Sequence, residues 1–265
     1  MNRANPSAPG FWPAPTKLGN LSAVEVESAL ASGPLDVVVA LGALEQHGPH
    51  LPLATDQIIA EAVAEAVASS VGNCIVGPVL PVGSSSHHLS FAGTASLSDE
   101  VLARMQVEIV ESLLSHGFKG IYLVTGHAGN SGAMSAATEA LDERVVSFHD
   151  WPAQRTAIHE VAQTELGLHP DVVGTHAGHF ETSIMLLLRP DLVRLDRAEP
   201  GFVGPAADAS ATLRSQGMAA LSSNGVIGDP TGASAAAGEL YLAALVGHVV
   251  DGIARYRTER AKVLQ

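Results

Sequence analysis

The sequence predicts an α/β fold, an open and mostly parallel sheet with helices on both faces. Two observations carry this. Four short apolar, β-branched runs (36–41, 74–80, 120–125 and 144–148) stand between polar or Gly/Pro-bearing segments, as strands buried on both faces do. Each of the first three leads through a polar loop into a helix-like segment, the alternation that builds parallel sheets. Ligands of such sheets bind beyond the carboxyl ends of the strands, so the loops there are the places to look for chemistry.

Residues 1–20 read as an extended, Pro-rich arm with Pro6, Pro9, Pro13 and Pro15, and residues 21–265 as one domain. Ser22 to Glu25 forms a capping box, which predicts a short helix to about Ala31, stopped by Gly33-Pro34. After the first strand a Gly/Pro/His loop runs to Thr55. Asp56 is expected to cap a helix through about Ser70, with Ile59, Val63 and Val67 on its apolar face and Gly72 at its end. A Gly/Ser/His loop, 81–97, follows the second strand. Ser98 opens a helix with Asp99 and Glu100 in its first turn, and Gly117 stands where a C′ glycine belongs. The third strand leads through Gly126–Gly132 into a helix to about Asp142. Residues 150–232 read as a long, partly irregular excursion, and a helix from Ala233 to about Tyr256 closes the chain.

Composition narrows the function. Apolar residues make up 46% of the 265 and charged residues 15%, a balance that folds. With 14 basic and 27 acidic residues the net charge is −13, so nucleic acid and anionic membranes are poor partners. A single cysteine, Cys74, excludes a disulfide framework and a cysteine-built zinc site and suits a reducing cytoplasm. The N-terminus lacks the apolar core of a signal peptide, and no stretch reads as a membrane span. Twelve histidines nearly match all Lys and Arg together.

The histidines and acids gather in the loops after the strands. Glu45-Gln-His47 follows the first, with Asp56 at the next helix start; in an extended backbone Glu45 and His47 point to one side. Gly126-His127-Ala128-Gly129-Asn130 follows the third, and His176-Ala-Gly-His179-Phe-Glu181 comes later. A lone loop histidine is more often hydrogen-bonded or solvated than a ligand. Imidazoles and carboxylates together after successive strands suit Zn²⁺, Mn²⁺ or Fe²⁺, and a carboxylate such as Asp56 can bridge two ions. The spacing of Gly126, Gly129 and Gly132 is not that of a dinucleotide loop, and Ser84–Ser86 lacks the flanking glycines of a nucleophile elbow. Ser85, in a loop that binds substrate by hydroxyl, is read as a substrate contact, with Ala128 and Gly129; His87-His88 is either a substrate contact or loop packing. His50, His116, His159, His169 and His248 are left as structural or surface residues.

Five motifs in order resemble the creatininase (creatinine amidohydrolase) family: Gly42–Asp56, Phe91–Leu97, Gly126–Asn130, His176–Ser183 and Gly225–Thr231. The resemblance implies a three-layer α/β/α sandwich, a hexamer, and two divalent ions hydrolysing a C–N bond of a cyclic amide or formamide with a metal-activated water. Carried over by position, Glu45, Asp56 and His127 would hold one ion and His47 and Asp56 the other, with His176 as the catalytic histidine near the leaving group. Creatininase proper has a glutamate where this chain has Gly129 and a tyrosine at Ala128; His149 stands where it has an aromatic lid, with Trp151 two residues on. Glu181 is then the acid left to complete the second ion or to take a proton from the water. The Gly-His-x-Gly-Asn form looks closer to the mycofactocin-associated peptidase branch than to creatininase proper. The alternatives to a small amide substrate are therefore a small peptide, trimmed by the same chemistry, or a non-catalytic metal-binding scaffold.

Overall fold

The structure, a computed structural model, describes residues 16–263. Most of the expected arm, residues 1–15, lies outside the described residues. Four parallel strands, β1 (Asp36–Leu41), β2 (Cys74–Leu80), β3 (Ile121–Thr125) and β4 (Val145–Phe148), form one sheet in the order β2-β1-β3-β4. All are the runs expected from sequence, within one residue. Val38 pairs with Val76 but Ala40 with Val79, so β2 carries an irregularity at Gly77-Pro78, where proline offers no donor to the ladder. The outer edge of β2 is covered by the chain's own Thr16, whose carbonyl accepts from Val76 N–H at 2.9 Å.

Strand alternation sorts the core into two layers. Val37, Val39, Leu41, Ile121 and Leu123 face α1 (Ala23–Ser32), α3 (Asp99–Ser115) and α4 (Ser131–Ala140). Val38, Ala40, Tyr122, Val124 and Phe148 face α2 (Thr55–Val71), α5 (Trp151–Glu165), α7 (His179–Leu188) and α10 (Ala235–Val263). This is the three-layer α/β/α sandwich that the resemblance implied.

Helix starts follow their caps. The Ser22–Glu25 capping box is complete, and the Ser98 side chain accepts from Val101 N–H. Asp56 departs from expectation. The N-cap of α2 is Ala54, and Asp56 lies within the first turn with its carboxylate turned inward to other partners. The excursion after β4 is also more regular than expected. It holds α5, α7, the short α6 (Pro170–Val173) and α9 (Met218–Leu221), and α8 (Ala206–Gln216). α10 is long and apolar enough to cross a membrane by length and composition, which departs from the reading that no stretch qualifies. Its buried residues Ala237, Tyr241, Leu245, Val249 and Ile253 recur every fourth position and pack in the core with Phe180, Ile184 and Met185 of α7.

Sheet order reverses direction at β1: the chain steps to β2 on one side, then to β3 on the other. The crevice beyond the ends of β1 and β3 is the switch point, and the loops after both strands open there.

Candidate metal centre

Glu45, His47, Asp56, His127, His176 and Glu181 converge at this switch point and are all buried. Glu45, Asp56 and His127 form one group able to hold an ion; His47, His176 and Glu181 form another. Asp56 lies between them. Its Oδ1 is 3.0 Å from His47 Nε2, and its Oδ2 is 3.2 Å from His127 Nδ1. Glu45 Oε1 is 3.5 Å from His176 Nδ1, and Glu181 Oε2 is 3.6 Å from His47 Nε2. A tetrahedron with metal–ligand bonds of ~2.1 Å has edges of roughly 3.4 Å, so these separations suit donors sharing a cation.

Two further observations test the fit. Both carboxylate oxygens of Glu45 and Oδ2 of Asp56 are buried with no hydrogen-bond partner, a costly state that a cation relieves. And the rings are held from behind. His47 Nδ1 is 3.1 Å from the Glu45 carbonyl, His127 Nε2 is 3.0 Å from the Ser84 carbonyl, and His176 Nε2 is 2.7 Å from the Gln46 carbonyl. A carbonyl accepts and never donates, so each of those nitrogens carries the proton. The opposite nitrogen is then the one turned to the cluster, where an ion could take its lone pair in place of a second proton, the backing arrangement of metal-binding histidines. The residues present therefore fit divalent cations.

Charge balance agrees. Burial pushes Glu45 and Glu181 up to about 7. Burial alone would lower His47 and His127, but Asp56 beside the first and Glu45 beside the second hold them up at about 10 and about 9. Burial would raise Asp56, yet His47 and His127 hold it well below the usual carboxylate range. Burial and the neighbouring His87 push His88 down to about 2, and burial beside His47 keeps His176 well below its ordinary value, so both rings stay neutral.

The loops are tied together by Asn130. Its amide donates to the Gly42 carbonyl at 3.0 Å and to Thr125 Oγ1 at 3.2 Å, and its Oδ1 accepts from Ser84 N–H at 3.0 Å. Glu181 is set in the first turn of α7, with Oε2 accepting from Ala177 N–H. Ala177 holds φ at +52°, a left-handed conformation that costs an alanine about 1 kcal/mol.

Several expectations are redirected. His176 was expected to protonate a leaving group. Its Nε2–H is committed to the Gln46 carbonyl, and the nitrogen facing Glu45 is the bare Nδ1, which suits an ion instead. Ser85 is fully buried beside His127, with Oγ 3.5 Å from Nε2, and the wall of the cavity is built by Ser84 and Ser86. His179 turns away to Tyr241 and the Gly232 carbonyl. His50 is buried on Thr182, outside the cluster. His88, Ala128, Gly129 and Trp151 line the cavity. At Gly129 an added Cβ would stand 2.2 Å from His127 Nε2 and 2.4 Å from the Ser84 carbonyl, so a glutamate cannot be seated there without moving the His127 ring or the loop.

The cavity in front of the cluster has a volume of about 500 Å³. Arg155 and Arg214 also line it, and neither makes an ion pair among the described residues. Sequence reading missed both, along with Gln46. Arg155 and Arg214 lie in the region read as irregular, and Gln46 sits hidden between Glu45 and His47.

A buried carboxylate–imidazole cluster at the switch point of a parallel α/β/α sheet defines the class: a hydrolase fold of the creatininase type. The creatinine amidohydrolase family model matches residues 19–253, and the chain belongs to that family, in its mycofactocin-type branch. It is 36% identical over 255 residues to the mycofactocin precursor peptide peptidase of Mycolicibacterium smegmatis, covering 94% of this chain and 95% of that protein. It is 35% identical over 196 residues to the creatinine amidohydrolase of Pseudomonas putida, covering 68% of this chain and 74% of that protein. Among solved structures, "Creatininase Mn" superposes with a TM-score of 0.71 at 28% identity, over 90% of this chain and 97% of the other.

Proposed function

We propose that this protein is a metal-dependent amidohydrolase acting on the amide bond of a small peptide. The observation that carries metal dependence is the set of buried carboxylate oxygens of Glu45 and Asp56 without a hydrogen-bond partner, beside the His176 and His127 nitrogens that no carbonyl claims. Glu45, Asp56 Oδ2 and His127 Nδ1 would hold one divalent ion; His47 Nε2, Asp56 Oδ1, Glu181 and His176 Nδ1 would hold a second. When bound, such ions supply Lewis acidity and a water whose pKa falls toward ~7. The chain's own residues do the rest. Glu181 lines the cavity, where it would either complete the second ion's ligands or take a proton from the water. Asn130 holds the three loops in register. Arg155 and Arg214 offer two free guanidiniums to an anionic substrate group, such as the carboxylate of a peptide end.

The peptide reading is supported by full-length similarity to mycofactocin precursor peptide peptidases and by a cavity roomier than a single small ring requires. A cyclic amide is the second reading, favoured by similarity to the Pseudomonas putida creatinine amidohydrolase. Its creatinine turnover should be weak, because positions 128 and 129, alanine and glycine, bring neither an aromatic nor an acidic side chain to that part of the wall. The two are separated by incubating the Mn²⁺- or Zn²⁺-loaded protein with creatinine and with a short-peptide panel bearing free or amidated C-termini, with a chelated control. The proposal expects chelator-sensitive cleavage of free-carboxylate peptides. Efficient turnover of creatinine with every peptide left intact would refute it.

A further inference from the structure

We propose that Gln46 is a positioning residue that fixes the ring tautomer of His88, so that His88 turns an N–H toward Glu45 at the cavity wall. Its chemical consequence rests on the amidohydrolase reading; the tautomer itself does not.

The orientation of the Gln46 amide is settled by backbone partners. Gly48 N–H can only donate, so the group it meets at 2.9 Å is the carboxamide oxygen. The Gly225 carbonyl can only accept, so the group it meets at 3.1 Å is the NH₂. That NH₂ has two protons. One goes to Gly225. For the other there are two nearby ring nitrogens, His88 Nδ1 at 2.9 Å and His176 Nε2 at 3.0 Å. His176 Nε2 already carries a proton for the Gln46 carbonyl, so it cannot accept. The second proton therefore goes to His88 Nδ1, which must be bare, and the proton of the neutral ring sits on Nε2.

His88 thus inverts the pattern of its neighbours. His47, His127 and His176 each give a proton to a carbonyl behind, which leaves the forward nitrogen as the one an ion could use. His88 accepts from an amide behind and turns a proton forward, toward Glu45 Oε1 at 3.4 Å, and it lines the cavity. Glu45, His88 and His176 lie close enough to suggest another ion position. A protonated Nε2 cannot ligate, so this trio is not one. An N–H there is placed to stabilise the charge that develops on an amide oxygen during hydrolysis. Gly225 belongs to the same device: its φ is +76°, and an added Cβ would fall 2.1 Å from the Gln46 amide oxygen.

The test is long-range ¹H–¹⁵N correlation on the full chain labelled at histidine, with Zn²⁺ loaded and without. His88 is expected to show a protonated Nε2 and a bare Nδ1 in both. Gln46→Glu replaces the donor by an acceptor, so His88 should acquire a proton on Nδ1. With metal content unchanged, kcat on whichever amide is cleaved should fall about 10²-fold with KM nearly constant. His88→Gln, which keeps an N–H near the same point, should retain far more activity than His88→Leu. A bare His88 Nε2 in the unaltered protein overturns the proposal even where the variant fails to fold. So does a Gln46→Glu protein whose His88 spectrum is unchanged. If the tautomer is as stated and no amide is cleaved, the functional reading fails and the Gln46 assignment stands.

Discussion

Gly129→Ala adds one methyl group where the centre has no room for it. The new Cβ would lie 2.2 Å from His127 Nε2 and 2.4 Å from the Ser84 carbonyl oxygen, against ordinary contacts of 3.4–4 Å. Those two atoms are the donor and acceptor of the 3.0 Å hydrogen bond that sets His127's tautomer. The methyl cannot be accommodated by a flexible side-chain tip, because one obstacle is backbone and the other a buried ring. The bond must open by about 1 Å or the loop must shift. Overpacking of this kind costs about 1–3 kcal/mol, and losing the backing of a ligand histidine costs ~10–100-fold in metal affinity. Urea denaturation of the metal-free variant reads the first quantity, and calorimetric titration with Zn²⁺ reads the second. Gly129→Glu, which introduces the residue of creatininase proper, should do worse than alanine and not better. A Gly129→Ala protein within about 0.5 kcal/mol of the parent, binding Zn²⁺ with parental affinity, would refute this reading of the site.

Glu181→Gln should bind the ion beside His127 normally and the ion beside His47 at least tenfold more weakly, seen as one weakened step in the same titration; two parental steps would remove Glu181 from the ligand set. Metal binding should also depend on pH. Glu45 and Glu181, held up at about 7 in the fold against an ordinary value of 4.5, keep protons that the unfolded chain has already lost between those two values. In the metal-free protein their contribution to stability therefore falls as pH rises through that window. Ions require the deprotonated acids, so the Tm gain from Zn²⁺ should grow from pH 5.5 to 7.5. A gain that is flat or shrinks over that range would contradict it.

Much of the fold was legible because its strands are buried on both faces, which leaves β-branched runs with sharp ends; 36–41 and 74–80 fall on the observed bounds. The region after β4 was less so. α5 buries Gln154, Ile158 and Ala162, a stripe too polar and narrow to stand out as an apolar periodicity. The gathering of Glu45, His47, Asp56, His127, His176 and Glu181 could be anticipated because all follow strands or open helices on one face of the sheet. What each ring does there could not, because it depends on partners far away in sequence. His176 bonds across 130 residues to the Gln46 carbonyl, and His179, three positions on, turns to Tyr241. Asp56 looked like a helix cap because nothing local reveals that two imidazoles claim its oxygens.

The central claim is that the cluster is a dinuclear metal centre bridged by Asp56. Elemental analysis of the purified full-length protein, alongside Asp56→Asn, tests it most directly, with circular dichroism confirming that the variant is folded. The account predicts about two divalent ions per chain in the parent and loss of both in the folded variant, because one oxygen of Asp56 faces His47 and the other His127. A parent that is metal-free after reconstitution, or a folded Asp56→Asn protein that keeps two ions, would contradict it.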